Sequence, residues 1–142
     1  MSGDIRILVI DDDRDLVEAL RLVLSAEGFT VHAAYDPVSG LAAVEAHHPD
    51  LILLDIMMPE ATEGFHFVWK LRQNADDYSR TVPIIVLSAI HGTTDLRFYP
   101  DSADGTYRAG EYLSVQDFVD KPVDPSRLVE RIRRALRVAS VR

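Results

Sequence analysis

The sequence predicts an α/β domain in which a parallel β-sheet is covered by helices on both faces. Two short segments, residues 51–54 and 84–87, are entirely apolar, which is typical of strands buried on both sides. Segments with helical periodicity alternate with such strands along the chain, as in a parallel sheet with crossover helices. The length of 142 residues and the apolar content of 47% fit one domain, assigned to residues 1–142 with its core at about 4–139.

The first half of the chain predicts three strands and two helices. The strands are predicted at residues 5–10, 30–35 and 51–54. An apolar stripe over residues 16–24 predicts the first helix, whose N-cap is Asp13 or Asp15 and whose C-cap is Gly28. The second helix is predicted to begin at an Asp-Pro pair, residues 36–37, and to run to about residue 48.

The second half predicts two strands, two helices and one long irregular segment. The strands are predicted at residues 84–87 and 118–119. Residues 64–74, with Phe65, Val68, Trp69 and Leu71, predict a helix. A second Asp-Pro pair, residues 124–125, predicts the start of a final helix with an apolar stripe. Residues 89–116 contain several glycines, one proline and no helical period, so they predict an irregular loop.

The composition argues against several classes of protein. Fifteen Lys+Arg against 23 Asp+Glu give a net charge of −8, whereas DNA binding requires a basic face. The absence of cysteine excludes disulfides and thiolate metal sites. The first residues do not resemble a signal peptide, and no apolar run is long enough to span a bilayer. We therefore expect a cytoplasmic protein that binds neither DNA nor membranes.

Polar residues follow four of the five predicted strands. Asp11 and Asp12 follow the first strand, Asp55 the third, Ser88 the fourth and Lys121 the fifth. In a parallel sheet, the carboxyl ends of the strands form one edge, where ligands bind at a switch in strand order. Clustered carboxylates repel one another unless a cation lies between them, and Mg²⁺ prefers such oxygen ligands.

The same residue types suit a phosphoryl group. An ammonium and a hydroxyl can bind phosphoryl oxygens, and phosphoryl transfer depends mainly on positioning and on neutralisation of charge. A carboxylate can itself be the nucleophile, which gives an aspartyl phosphate.

Four segments resemble the receiver domain of bacterial two-component response regulators, in its single-domain type. They are residues 7–13, 51–59, 83–89 and 118–122. The resemblance covers nearly the whole chain and implies a doubly wound, five-stranded parallel sheet of order 2-1-3-4-5. The family has a helix between its fourth and fifth strands, and we predict that the loop at residues 89–116 replaces it wholly or mostly.

The resemblance implies a phosphoacceptor and a metal site. Asp55 would accept the phosphoryl group from a phosphohistidine on a sensor histidine kinase or a phosphotransfer protein. Asp11, Asp12, Asp55 and the backbone carbonyl of Met57 would bind Mg²⁺ or Mn²⁺. Such a chain is not an enzyme beyond slow autophosphorylation and autodephosphorylation.

The resemblance also implies a switch. Ser88 and Lys121 would bind phosphoryl oxygens, and Phe118 would move inward together with Ser88 after phosphorylation. The peptide bond between Lys121 and Pro122 is expected to be cis. With no output domain attached, the switch would act through contacts with a downstream protein target, and the sequence is compatible with a homodimer.

Two alternatives remain at this point. A haloacid-dehalogenase-like phosphatase also uses an Asp nucleophile with Mg²⁺ and a Lys. That family requires a second Asp two residues after the nucleophile, and for Asp55 this position, 57, is Met. Asp11 and Asp13 have the required spacing, but Asp15 then stands where the family usually has Thr or Val. A receiver-like module that works without phosphorylation is less favoured, because the whole set of site residues is present.

Overall fold

A computed structural model describes residues 4–55, 63–73, 76–88 and 115–141. These residues form five strands and five helices. In chain order they are β1 (Arg6–Ile10), α1 (Arg14–Ala26), β2 (Thr30–Ala34), α2 (Pro37–His47), β3 (Leu51–Asp55), α3 (Glu63–Arg72), α4 (Asp77–Thr81), β4 (Ile84–Ser88), β5 (Asp117–Asp120) and α5 (Pro125–Val141). The predicted loop lies outside the described residues except for its last two positions. Among the described helices, none is long and apolar enough to cross a membrane.

The five strands form one parallel sheet in the order β2-β1-β3-β4-β5. This order confirms the expected 2-1-3-4-5 topology. The chain leaves β1 towards β2 on one side and later returns to β3 on the other. The switch in strand order therefore lies between β1 and β3, which are hydrogen-bonded neighbours.

Apolar residues fill the space on both faces of the sheet, which confirms the predicted two-sided burial. One face packs against α2 and α3, and the other packs against α1 and α5. Successive residues of the central strands pack on opposite faces of the sheet, because the side chains of a strand alternate in direction. On the first face these are Leu8, Ile10, Ile52, Leu54, Ile84 and Val86. On the second face they are Ile7, Val9, Leu51, Leu53, Ile85 and Leu87.

Aspartate caps begin the helices where the sequence predicts them. The side chain of Asp13 accepts a hydrogen bond from the Leu16 N–H at 3.1 Å, which decides between the two cap candidates for α1. Asp36 accepts from the Ser39 N–H at 2.8 Å at the start of α2. One boundary differs, since Glu27 is the C-cap of α1. Gly28 follows it with a φ of 94°, a left-handed conformation that suits glycine.

Two features of the helices differ from the sequence prediction. Helix α4 was not predicted, because a helix of five residues is too short to show a period. The apolar face of α3 is also different. Phe67, Val68 and Leu71 are buried, whereas Trp69, one of the residues used to predict the helix, is 61% exposed.

Candidate functional site

Three carboxylates meet at the carboxyl edge of the sheet. Asp11 directly follows β1 and is fully buried, while Asp55 ends the neighbouring strand β3 and is 4% exposed. Asp12 is exposed. One oxygen of each carboxylate lies within 4.8 Å of those of the other two. The structure thus brings together the three acids that the sequence placed at this edge.

Lys121 bridges the two buried carboxylates. It follows β5, and its Nζ lies 2.9 Å from Oδ2 of Asp11 and 3.6 Å from Oδ2 of Asp55. Burial alone would lower the pKa of Lys121. The hydrogen bond and charge of Asp11, with the charge of Asp55, outweigh this effect and raise its pKa above the ordinary value. The lysine is therefore positively charged at neutral pH. The expected cis bond between Lys121 and Pro122 is confirmed.

The backbone holds the carboxylate of Asp11 in place. Its Oδ1 accepts a hydrogen bond from the Asp13 N–H at 2.9 Å, so the cap residue of α1 also orients the site. The backbone N–H of Asp11 donates a hydrogen bond to the carbonyl oxygen of Ala34 on β2 at 3.1 Å. The sequence did not predict this role of Ala34, because every residue has a backbone carbonyl and the residue type therefore gives no signal.

The remaining predicted site residues are described only in part. Ser88 ends β4 at the same edge, in register with Asp120 of β5. The described part of the structure includes its backbone but not its side chain. Phe118 lies on β5, half-buried, and packs against the core cluster on the α2 and α3 face. Met57 lies outside the described residues.

The donor set of this site fits a divalent cation. Three carboxylates lie together, and the Lys121 ammonium contacts two of them, so the described part of the cluster has an excess of negative charge. Carboxylate oxygens are the hard ligands that Mg²⁺ and Mn²⁺ prefer, and Mg²⁺ commonly combines a few carboxylates with water or phosphate oxygens. The acidic cluster is therefore consistent with the divalent metal site of receiver domains.

We expect Asp12→Asn to stabilise the protein when divalent cations are removed. The substitution removes a negative charge from a cluster of like charges. Because Asp12 is exposed and water screens it, the gain in the free energy of unfolding should be about 0.5 kcal/mol. Urea unfolding in EDTA measures this gain, and added Mg²⁺ should stabilise the wild type more than the variant.

Glu45→Gln is the matched control, because Glu45 is an exposed acid on α2 that does not belong to the cluster. It should leave both the stability and the response to Mg²⁺ nearly unchanged. A less stable Asp12→Asn protein in EDTA would show that repulsion within the cluster does not dominate.

The fold and the acidic edge together define the CheY-like class of α/β domains. The family model described as "Response regulator receiver domain" matches residues 7–133, and the chain belongs to this family. Receiver domains are signalling phosphoacceptors rather than enzymes, and they act in two-component signalling with histidine kinases. This membership decides against the haloacid-dehalogenase-like phosphatase that the sequence left open.

Two relatives show the extent of the sequence similarity. The response regulator MprA of Mycobacterium ulcerans (strain Agy99) is 35% identical over 133 residues, which cover 94% of this chain and 50% of the relative. The transcriptional regulatory protein CseB of Streptomyces avermitilis is 35% identical over 137 residues, which cover 96% of this chain and 51% of the relative. The chain thus spans about half the length of these curated relatives.

Solved structures show the same fold. The CheY-like response regulator receiver domain protein from Methanospirillum hungatei JF-1 aligns with a TM-score of 0.76 at 25% identity, covering 97% of this chain and 98% of that protein. The chemotaxis response regulator CheY4 of Vibrio cholerae aligns with a TM-score of 0.75 at 22% identity, covering 94% of this chain and 99% of that protein.

Proposed function

We propose that this chain accepts a phosphoryl group on Asp55 from the phosphohistidine of a sensor histidine kinase or a phosphotransfer protein, in the cytoplasm. Phosphorylation would then change its contacts with a downstream protein. The observation that carries this proposal is the position of the Lys121 ammonium between the buried carboxylates of Asp11 and Asp55. Such an arrangement places a fixed positive charge beside a carboxylate that can act as a nucleophile.

The hydrogen bonds of Asp11 support a positioning role for this acid beside the proposed acceptor, Asp55. Both oxygens of Asp11 accept hydrogen bonds of 2.9 Å, from the Asp13 N–H and from Lys121, and these bonds suit a group that stays in place. Asp55 is 3.6 Å from the same ammonium and lies on β3, at the centre of the sheet. An oxygen of Asp55 would attack phosphorus, and the bond between phosphorus and the imidazole nitrogen would break with its electron pair returning to the nitrogen.

We assign metal binding to Asp11, Asp12 and Asp55, together with the backbone carbonyl of Met57 that the family resemblance implies. A bound Mg²⁺ or Mn²⁺ would neutralise the carboxylates and the phosphoryl oxygens as the transfer proceeds. Lys121 would pair with a further phosphoryl oxygen. In this role its side chain exchanges part of its contact with the carboxylates for a contact with the phosphoryl group.

The switch that we propose involves β4 and β5. The Ser88 hydroxyl would donate a hydrogen bond to the phosphoryl group, and Phe118 would follow it inward. Support comes from the pairing of the two strands and from the half-buried position of Phe118. Phosphorylation would then bias a two-state element. We propose that the readout passes through protein contacts, with a downstream protein or with a second copy of the chain, and not through DNA binding by these residues.

The experiment that tests the acceptor is labelling with acetyl phosphate in the presence of Mg²⁺, followed by intact-mass spectrometry. We expect the wild type to gain one phosphoryl group and Asp55→Asn to gain none, because an amide cannot act as the nucleophile. Removal of Mg²⁺ with EDTA should also prevent labelling of the wild type.

Asp120→Asn serves as the control, since Asp120 is an exposed acid at the same edge of the sheet. It should be labelled like the wild type. Equal labelling of Asp55→Asn would refute the assigned acceptor. A wild type that takes no label with Mg²⁺ present would favour a module that acts without phosphorylation.

A further inference from the structure

Two histidines stack on each other on the side of the sheet away from the acidic edge. His32 lies on β2, and His47 is the last residue of α2. Their ring centroids are 3.8 Å apart, and the ring planes differ by 9°. The two imidazoles, called the histidine pair below, thus join the end of α2 to the edge strand of the sheet.

Charged groups of both signs lie near the histidine pair. From β1, Nη1 of Arg6 donates to the carbonyl oxygen of His47 at 2.8 Å. From α1, Nη1 of Arg21 donates to the carbonyl oxygen of Val31, next to His32, at 3.3 Å. The segment before β1 contributes Asp4, which lines the same cleft together with the pair.

These surroundings oppose a positive charge on His32. Partial burial, followed by the charges of His47, Arg6 and Arg21, lowers the pKa of His32 below its ordinary value. A proton added to His32 meets the ring of His47 at contact distance and the guanidinium groups of Arg6 and Arg21 nearby.

The nearby acids are engaged elsewhere. Asp4 accepts a hydrogen bond from the hydroxyl of Thr30 at 3.3 Å. Asp50 accepts one from the backbone N–H of Arg6 at 2.8 Å, and Glu18 lies 3.7 Å from Nε of Arg21.

We propose that the histidine pair is an acid-sensitive latch, which holds the C-terminal end of α2 against β2 at neutral pH and weakens as the pH falls. The latch is independent of the phosphoacceptor, because it involves neither the acidic cluster nor Lys121. It regulates the stability of the packing of α2 on the sheet.

The sign of the effect follows from proton binding. In an opened or unfolded chain, a histidine titrates with a pKa of about 6.5. Above that pH His32 is neutral in both forms, and the latch contributes fully. As the pH falls below it, the opened form binds a proton that the closed form excludes. The opening equilibrium therefore grows, by at most about tenfold per pH unit for the single proton on His32.

Hydrogen exchange of the α2 backbone amides tests the latch in the wild type. Between about pH 7.5 and about pH 5.5, the protection of the last turn of α2, corrected for intrinsic exchange rates, should fall, by up to about tenfold. In an NMR titration, the His32 ring should show a pKa below its ordinary value. Unchanged protection, or an ordinary titration of His32, would overturn the proposal.

Substitutions separate the pair from other histidines. His32→Gln should retain the protection of α2 at the lower pH, and His47→Gln should raise the pKa of His32 towards its ordinary value.

His48→Asn is the control, because His48 follows α2 but stacks on Tyr78, and Asn tolerates its left-handed backbone. If His48→Asn alone removed the pH dependence, the latch would be assigned to the wrong residues. His32→Gln should still be labelled by acetyl phosphate at neutral pH, which separates this test from that of the proposed function.

Discussion

Replacement of Lys121 with methionine should destabilise the protein by about 3 kcal/mol when no divalent cation is present. Lys121 is largely buried, and its ammonium faces the carboxylates of Asp11 and Asp55, which are 0% and 5% exposed in their side chains. Methionine retains much of the apolar length of the side chain but leaves both carboxylates without this charge. Removal of one partner from a buried ion pair is costly because the remaining charge is desolvated.

Divalent cations should reverse part of this loss. If Asp11, Asp12 and Asp55 bind Mg²⁺, the cation supplies positive charge to the same carboxylates, and it should stabilise Lys121→Met more than the wild type. Urea unfolding in EDTA and in excess Mg²⁺ measures both effects. The response to Mg²⁺ depends on the charge of the cluster and not on the shape of the side chain at position 121.

The chain provides its own control, because Lys70 is its only other lysine. It is exposed on α3, so Lys70→Met should change the stability by less than about 0.5 kcal/mol. If Lys121→Met were as stable as Lys70→Met in EDTA, the ion pairs of Lys121 would contribute little to the fold. That result would also weaken the electrostatic basis of the proposed phosphoryl site.

Phe67→Ala should destabilise the protein by about 3–5 kcal/mol. The Phe67 ring is 1% exposed and packs α3 onto α2 and the sheet. Its Cε1 atom would lie 3.3 Å from a Cβ atom added at Gly40, so the absence of a side chain on α2 makes room for the ring. Truncation to alanine removes buried apolar surface and leaves a cavity in a tightly packed region.

Trp69→Ala is the matched control on the same helix. Trp69 is the larger aromatic residue, but it is 61% exposed, and its loss should cost less than about 0.5 kcal/mol. Phe67→Leu should lie between the two because it retains part of the buried volume. Unfolding followed by circular dichroism suits all three proteins, since it does not depend on the tryptophan. Equal losses for Phe67→Ala and Trp69→Ala would contradict the observed orientation of α3.

Local signals in the sequence predicted most of the elements, because each of them depends on a few adjacent residues. Caps at Asp13 and Asp36 begin α1 and α2 as expected, since a short polar side chain can bind the free N–H groups of its own helix. The apolar strands were equally clear, because a strand buried on both faces carries no polar residue. Helix α4 has only its cap, Asp76, as a signal, and one such residue also fits a turn.

The orientation of α3 shows a limit of this local information. Phe67 and Trp69 are both aromatic and are separated by one residue, so either could belong to the buried face. The residues that predicted the helix include Trp69 but not Phe67, whereas the structure buries Phe67 and exposes Trp69. The choice depends on which ring fits the space above Gly40 and Ile10, and this space exists only after α2 has packed on the sheet.

The chemistry of the site could be predicted from the sequence, because residue types and their positions after strands are local properties. The sequence placed Asp11, Asp12, Asp55 and Lys121 at one edge of a parallel sheet, and the resemblance of its motifs identified the family. The contacts among these groups, in contrast, exist only in the folded chain. The fold places the Lys121 ammonium between two buried carboxylates, and it lets the backbone N–H of Asp11 donate a hydrogen bond to the carbonyl oxygen of Ala34. It also stacks His32 on His47. These contacts join residues that are far apart in the chain, so they depend on the packing of whole elements rather than on local sequence.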